Sequence, residues 1–238
     1  FADHKATAEV WYRLLNLGFR LPAAAGTDAM ANYASLRGPV GMNRVFLDTA
    51  GSRDIDAAFA ALKSGQGFVS NSPLLGLLLD GRKPGQTVDL SAAGARKFSV
   101  ALRSPVPVDH LELVHNGKVI KSFALAGDRR SFDIEGELEL DKGGWLLLRA
   151  WNDGADPQVL DLYPYASTNP IYLKSPAGPP SAQSDASYFA EWIDRAIWAM
   201  KARTEFNDEG EKRETLDYLK RASDAYLSLA ESQGTISP

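Results

Sequence analysis

The chain lacks cysteine among its 238 residues. This absence excludes disulfides, thiolate nucleophiles and cysteine-ligated zinc sites. Only three histidines are present, and no His-x-His or His-Glu-x-x-His pair occurs, so the usual imidazole pairs of hydrolytic metal sites are missing. The sequence also contains no Gly-x-Ser-x-Gly elbow and no glycine-rich phosphate loop. A serine hydrolase and a nucleotide-binding enzyme therefore have no sequence motif to support them.

Charge and hydropathy exclude two classes of partner. The formal charge of -4 comes from 30 acidic and 26 basic residues without a long basic tract, so neither nucleic acid nor an anionic membrane is an expected partner. The longest apolar run, residues 74–79, is far shorter than the roughly 20 residues of a membrane helix. We therefore expect no membrane span. The chain starts at Phe1-Ala-Asp-His without an initiator Met or a signal peptide, which we interpret as the C-terminal portion of a longer protein of unassigned compartment.

Residues 1–77 show alternating helix and strand patterns. Apolar spacing and terminal glycines predict helices over 7–17 and 55–62 and strands over 19–25, 44–48 and 67–71. This order is typical of an α/β layer or barrel. Because a complete β/α barrel takes about 250 residues, we expect only the C-terminal part of one.

The remainder of the chain changes character twice. Short alternating strands with turn signals, including the Asn116-Gly117 hairpin signal, predict a β-sandwich over 78–174. Residues 175–183 form a proline-rich linker by composition, and 184–238 carry two amphipathic helical stripes that predict a helical hairpin, with Ser184 as a possible cap. The expected fold class is thus α+β and multidomain.

Two polar residues are candidates for a site at strand ends. Asp28 follows an apolar run of small residues that ends in Gly26, and ligands of α/β folds bind beyond such strand ends. It is a candidate general base or metal ligand, although an Asp after Gly-Thr is also a common turn former. Asn71 ends the strand after the second helix and is a candidate substrate donor on the same face. A turn that terminates the strand explains Asn71 equally well.

The three histidines give little support to a metal site. His110 and His115 flank the predicted hairpin, where histidines are usually solvated. His4 lies close to the start of the chain, and its role is left open.

Taken together, several segments resemble the C-terminal half of the CehA/McbA-like metallohydrolases, relatives of the PHP (polymerase and histidinol phosphatase) superfamily. The resemblance covers roughly residues 7–174. It is carried by the following segments: Trp11-Tyr-Arg-Leu-Leu-Asn-Leu-Gly-Phe-Arg-Leu-Pro-Ala-Ala-Ala-Gly-Thr-Asp28, Asn43-Arg-Val-Phe-Leu, Gly67-Phe-Val-Ser-Asn-Ser-Pro-Leu, Glu112-Leu-Val-His-Asn-Gly117, Gly144-Trp-Leu and Thr168-Asn-Pro-Ile-Tyr172.

The resemblance implies a distorted β/α barrel in which divalent metals (Zn, Mn or Fe) activate water for hydrolysis of a phosphoester, amide or carbamate. Asp28 matches the late metal ligand of that superfamily. Met30 stands where many members have a further histidine ligand, and a thioether is a poor ligand for hard ions. The other expected ligands would precede Phe1. We therefore expect no activity in this chain by itself, and whether it binds a metal is left open.

Two alternatives remain open. The chain could act as a non-catalytic binding module through its β-sandwich, which exposed aromatic residues on one sandwich face would favour. It could also be an inactive relative that has lost its metals, which Met30 favours. An incomplete barrel exposes apolar edges, so we expect self-association or association with a missing N-terminal half. The small-molecule substrate is not indicated.

Overall fold

A computed structural model describes residues 3–30, 38–92, 94–160 and 162–232. Within these residues the protein is a mixed α+β structure of four α-helices and eleven β-strands. The helices are α1 (His4–Asn16), α2 (Ile55–Ser64), α3 (Gln183–Ala202) and α4 (Glu209–Glu231). The strands are β1 (Arg44–Leu47), β2 (Gly67–Ser70), β3 (Leu74–Leu79), β4 (Thr87–Asp89), β5 (Arg96–Arg103), β6 (His110–His115), β7 (Lys118–Ser122), β8 (Ser131–Leu138), β9 (Gly144–Trp151), β10 (Tyr165–Thr168) and β11 (Ile171–Lys174).

The chain divides into two compact units. The first comprises the described residues of 1–8 and 20–179, and the second those of 9–19 and 180–238. All eleven strands belong to the first unit, whereas most of α1 joins α3 and α4 in the second. None of the helices in the described part of the chain combines the length and the apolar character needed to cross a bilayer.

The larger sheet of the first unit has eight strands and is organised around β9. Strand β6 pairs along one edge of β9, while β10 and β11 pair one after the other along its opposite edge. From β10 the sheet continues through β2 to β1, and from β11 it continues to β4. Leu146, Leu147 and Leu148 of β9 are fully buried. A continuous apolar run suits this strand because it is paired on both edges and covered on both faces.

The smaller sheet has three antiparallel strands in the order β3-β5-β8. In β3 and β5 the buried residues alternate with exposed or half-buried ones, as a strand with one face on a core requires. The buried side chains of both sheets, including Leu77, Val100, Leu113 and Leu148, form one hydrophobic core. The two sheets therefore form the sandwich-like arrangement expected from the sequence.

The segment predicted to be the last part of a barrel is built differently from a parallel layer. Strands β1 and β2 precede and follow α2 along the chain. They pair antiparallel with each other, in the same sheet as β10 and β9. No barrel is closed by the strands of the described residues.

The predicted strand over 19–25 is wrong, since residues 19–30 contain no regular element. Pro22 has no N–H to offer a neighbouring strand. The next N–H, that of Ala23, donates to the side-chain oxygen of Asn169 at 2.6 Å rather than to a strand.

The helix ends follow the chemistry of their caps. Asp54 caps α2 by accepting a hydrogen bond from the Asp56 N–H, and Gly65 ends the helix with φ 71°. Asp208 caps α4 through the Glu211 N–H. The predicted cap of α3 is wrong: the helix begins after Ala182, which makes no side-chain cap bond, and Ser184 lies inside it.

The second unit is the predicted helical hairpin, α3 packed on α4, joined by residues of α1. Leu17, Ala186, Phe189 and Ala230 form its small buried core. The buried carboxylate of Asp185 accepts hydrogen bonds from Arg13 at 2.6 Å and Asn16 at 2.9 Å. These bonds attach the C-terminal part of α1 to the first turn of α3.

The predicted β6–β7 hairpin is confirmed, with Asn116 at φ 49° and Gly117 at φ 81°. Two positive φ values are the signature of a type I′ turn. The Asn116 side chain also extends to the start of β9: its oxygen accepts from the Trp145 N–H at 3.0 Å and its nitrogen donates to the Gly143 carbonyl at 2.9 Å. The turn thus fixes the beginning of the central strand.

We predict that Asn116→Gly lowers the free energy of unfolding by about 1–3 kcal/mol. Glycine keeps the left-handed turn but removes both bonds to the start of β9. Urea denaturation measures the change. The control is Ala50→Gly, at another residue with positive φ (52°), which should not lower the free energy of unfolding because glycine relieves the strain of a left-handed alanine. Equal stability of Asn116→Gly and the parent would show that these two bonds contribute nothing.

Candidate functional site

Five strands of the large sheet start or end at one edge, which we call the polar edge. Here β1, β6 and β10 begin and β2 and β9 end, because Arg44 pairs with Ser70, Tyr165 with Trp151, and His110 with Trp151. Residues that precede or follow these strands are brought together although they are far apart in sequence. The polar edge contains Asn71.

Asn71 is buried at the polar edge, and its side-chain amide, backbone N–H and backbone carbonyl all make hydrogen bonds. Its side-chain nitrogen donates to the Tyr163 carbonyl at 2.9 Å, and its side-chain oxygen accepts from the Tyr165 N–H at 2.8 Å. Its own N–H donates to the Tyr165 carbonyl, and its carbonyl accepts from Arg44. The amide therefore joins the end of β2 to the start of β10, and the substrate-donor role stays a prediction.

Asp28 lies in the irregular segment after α1, with an exposed side chain and φ 55°. A positive φ is uncommon for residues other than glycine, although Asp and Asn tolerate it best. The preceding residue, Thr27, accepts a hydrogen bond from the Asn43 N–H through its hydroxyl at 2.9 Å. Since Asn43 immediately precedes β1, this bond attaches the Asp28 segment to the polar edge.

His4 contacts Asn43 and two tyrosines, a grouping that the sequence did not indicate. The His4 Nε2 lies 3.4 Å from the Asn43 side-chain oxygen. The His4 ring also contacts two tyrosines, with ring centroids 5.6 Å from Tyr163 and 5.5 Å from Tyr165. These contacts span about 40 and 160 residues of chain, and no local sequence pattern signals them.

A hydroxyl–carboxylate pair adjoins this cluster. The Tyr163 hydroxyl donates to Asp3 at 2.7 Å and accepts from the Lys5 N–H at 3.0 Å. Burial, followed by the bond to Asp3, raises the pKa of Tyr163 to about 12. The Tyr163 hydroxyl, together with the N–H groups of Ala6 and Lys5, lowers the pKa of Asp3. Asp3 is thus a carboxylate and Tyr163 a neutral donor at neutral pH.

The far end of the polar edge carries an aromatic stack. The His110 ring stacks on Trp151 with centroids 3.9 Å apart, and its Nε2 lies 2.9 Å from an Asp153 oxygen. The Lys5 ammonium lies 3.4 Å from the Trp151 ring centroid, and the Trp151 indole N–H donates to Glu112 at 3.0 Å. These groups bind one another rather than converging on a common point.

The expectation that His115 is solvated is wrong. The residue is half-buried, and burial lowers the pKa of its imidazole. Its Nε2 lies 3.0 Å from the Asn116 side-chain nitrogen, which makes it an acceptor in the neutral ring. His115 is therefore part of the hairpin structure.

The donor set of the described residues does not fit a catalytic metal. Among residues 3–30, 38–92, 94–160 and 162–232, no group of three or more His, Asp or Glu side chains converges where an ion could bind. A hydrolytic metal needs about three protein ligands and an open position for water. Asp28 contributes one carboxylate, and the neighbouring Met30 contributes none.

The comparisons with known proteins add no relative: no family model, no curated protein and no solved structure matches the chain. The binding-module alternative calls for exposed aromatic residues on one sandwich face, and the described strands carry aromatic side chains that are buried or half-buried rather than exposed. Their exposed large apolar side chains, in the described residues, are the aliphatic Leu74, Leu78, Val119, Ile120 and Ile134.

We predict that Asn71→Ala lowers the free energy of unfolding by about 1–3 kcal/mol, because it removes the side-chain partners of the buried Tyr165 N–H and the part-buried Tyr163 carbonyl. Asn71→Asp is the informative control. Aspartate keeps the acceptor for the Tyr165 N–H but loses the donor to the Tyr163 carbonyl, so this substitution should also lower the free energy of unfolding. Chemical denaturation followed by circular dichroism measures both. Unchanged stability in Asn71→Ala would contradict the structural role.

We predict that protein stability falls between about pH 10 and pH 12. The folded state holds the Tyr163 proton up to a pKa of about 12, compared with 10.0 for an unperturbed tyrosine. The unfolded chain therefore loses this proton first as the pH rises, which favours unfolding. Carbon-13 NMR of the tyrosine ring, assigned with Tyr163→Phe, measures the titration. A Tyr163 midpoint near 10 would contradict the prediction.

Proposed function

We propose that the chain is the C-terminal portion of a PHP-like metal-dependent hydrolase, to which it contributes the carboxylate of Asp28. The substrate class is a phosphoester, amide or carbamate. The other ligands come from outside the residues given in this sequence.

The attachment of the Asp28 segment to the polar edge is the observation that supports this proposal. Thr27 binds Asn43 before β1, Arg44 binds the Asn71 carbonyl after β2, and Asn71 binds the backbone before β10. A single continuous set of hydrogen bonds thus connects the carboxylate-bearing segment to three strand ends. Functional side chains are often carried by irregular segments that a rigid sheet positions in this way.

The same residues limit what the chain does by itself. They do not hold a metal, because one carboxylate is too small a ligand set. What they supply is one exposed carboxylate, on a residue with positive φ, for a site whose other ligands come from another segment. We therefore expect the chain alone to hydrolyse no generic phosphoester when zinc or manganese is added.

The test compares Asp28→Asn with the parent in the protein produced from its complete reading frame. We predict that the substitution lowers bound metal and lowers kcat/KM for a chromogenic phosphoester at least about 100-fold, since even indirect partners of metal ligands change activity 10–100-fold. Elemental analysis and steady-state kinetics measure the two effects. Asparagine preserves the left-handed backbone and so isolates the charge.

A matched control is Asp80→Asn. Asp80 is also exposed and has φ 47°, but it lies in the turn after β3 and not at the polar edge. It should leave metal content and kinetics unchanged. Equal activity of Asp28→Asn and Asp80→Asn in the metal-loaded protein would contradict the proposal, as would robust hydrolysis by the isolated chain.

A further inference from the structure

An open cavity of about 380 Å³ lies in the first unit, next to β1 and β3 and away from the polar edge. Small-molecule sites are usually concave, mostly apolar and between about 300 and 1,000 Å³. The lining is mainly apolar with a few polar groups, and it includes Phe46, Phe68, Gly76, Ala101, Asp48 and Lys83. The cavity thus has the size and the composition of a binding site.

One wall of the cavity is an aromatic pair. Phe46 of β1 and Phe68 of β2 are register partners, and their rings stack with centroids 4.7 Å apart and planes at 11°. Both rings are half-buried, so they keep accessible apolar surface, unlike the side chains of the core. A planar aromatic group or a compact apolar group would find a large partner surface there.

Small residues on the facing strands keep the cavity open. Gly76 of β3 pairs with Ala101 of β5, and a Cβ added at Gly76 would lie 3.3 Å from the Ala101 Cβ. A larger side chain at position 76 would therefore enter the space shared with Ala101. Since Gly76 has no positive φ, its backbone does not itself require glycine.

The cavity lining contains one acidic and one basic residue. Asp48 and Lys83 pair at 2.6 Å, with side chains 38% and 56% exposed. The second oxygen of Asp48 accepts from the Ala50 N–H at 3.0 Å, which fixes the carboxylate. An ion pair this exposed is weak, so a ligand can separate its members at little cost.

We propose that this cavity binds a zwitterionic amino acid with an apolar, preferably aromatic, side chain. The side chain lies against Phe46 and Phe68, the ammonium binds Asp48, and the carboxylate binds Lys83. A ligand with only one charge would be attracted by one member of the pair and repelled by the other, whereas a zwitterion complements both. The site is independent of Asp28 and of the proposed hydrolase activity.

The test titrates the chain with L-phenylalanine by isothermal calorimetry or ligand-observed NMR. We expect saturable binding with a Kd of about 1 mM or tighter. Two singly charged analogues, 3-phenylpropionate and 2-phenylethylamine, should bind at least about tenfold more weakly because each lacks one ionic partner. L-alanine, which has the charges without the ring, should show no binding in the same range.

Variants identify the cavity as the place of binding. Gly76→Val should abolish binding, with Gly154→Val as its control, because a Cβ at Gly154 meets nothing within 4 Å. Asp48→Asn and Lys83→Met should each weaken binding about tenfold, while Lys118→Met, on the distant β7, should not. The two charge variants change exposed side chains and keep the test valid if Gly76→Val fails to fold.

Several results would overturn the proposal. One is the absence of L-phenylalanine binding up to its solubility limit. Another is unchanged affinity in both charge variants. A third is equal affinity for N-acetyl-L-phenylalaninamide, which keeps the ring but has no charge; that result would indicate an extended peptide beside the edge strand β3 instead of a free amino acid.

Discussion

The arrangement of strands at the polar edge of the first unit depends on Asn71, whose side chain makes hydrogen bonds to backbone groups as a neighbouring strand would. Its side-chain amide binds both the Tyr163 carbonyl and the Tyr165 N–H, groups that would otherwise be buried without partners. This contact extends the β2–β10 ladder beyond the last residue of β2, and β10 in turn joins β1 and β2 to the sheet built around β9. The residues that surround the candidate site are positioned by that sheet edge.

Local sequence chemistry accounts for much of the fold. Asp54 and Gly65 mark the ends of α2, and the Asn116-Gly117 pair marks the β6–β7 turn, because caps and tight turns are set by a few neighbouring residues. Alternation in β5 and the helical stripes of α3 are similarly local. These features could be predicted since each requires only short-range periodicity or one favourable φ value.

Features that depend on distant partners could not be predicted in the same way. The segment 19–25 has the apolar composition of a strand, but Pro22 and the bond from Ala23 to Asn169 keep it irregular. Similarly, half of α1 packs with α3 through Arg13 and Asp185, a pairing that spans most of the chain. Nothing in the local pattern of either segment specifies its partner.

The candidate site also combines residues that local sequence indicates with residues that depend on distant partners. Asn71 could be located from the sequence because it follows the apolar strand β2. Asp28 was selected as the residue after a strand over 19–25 that does not form, so its place in the structure was not predicted. The contacts of His4 with Asn43 and with Tyr163 could not be predicted, since they join the start of α1 to residues that precede β1 and β10. The antiparallel pairing of β2 with β10 explains why Asn71, found correctly at a strand end, is engaged with backbone groups.

The most direct measurement of the central claim is paramagnetic broadening of amide resonances by Mn²⁺ in the protein from its complete reading frame. The proposal predicts selective broadening around Thr27, Asp28 and Ala29, with little effect around the matched turn at Asp80. Broadening that is absent at Asp28, or equal at Asp28 and Asp80, would contradict the assignment of Asp28 to a metal site.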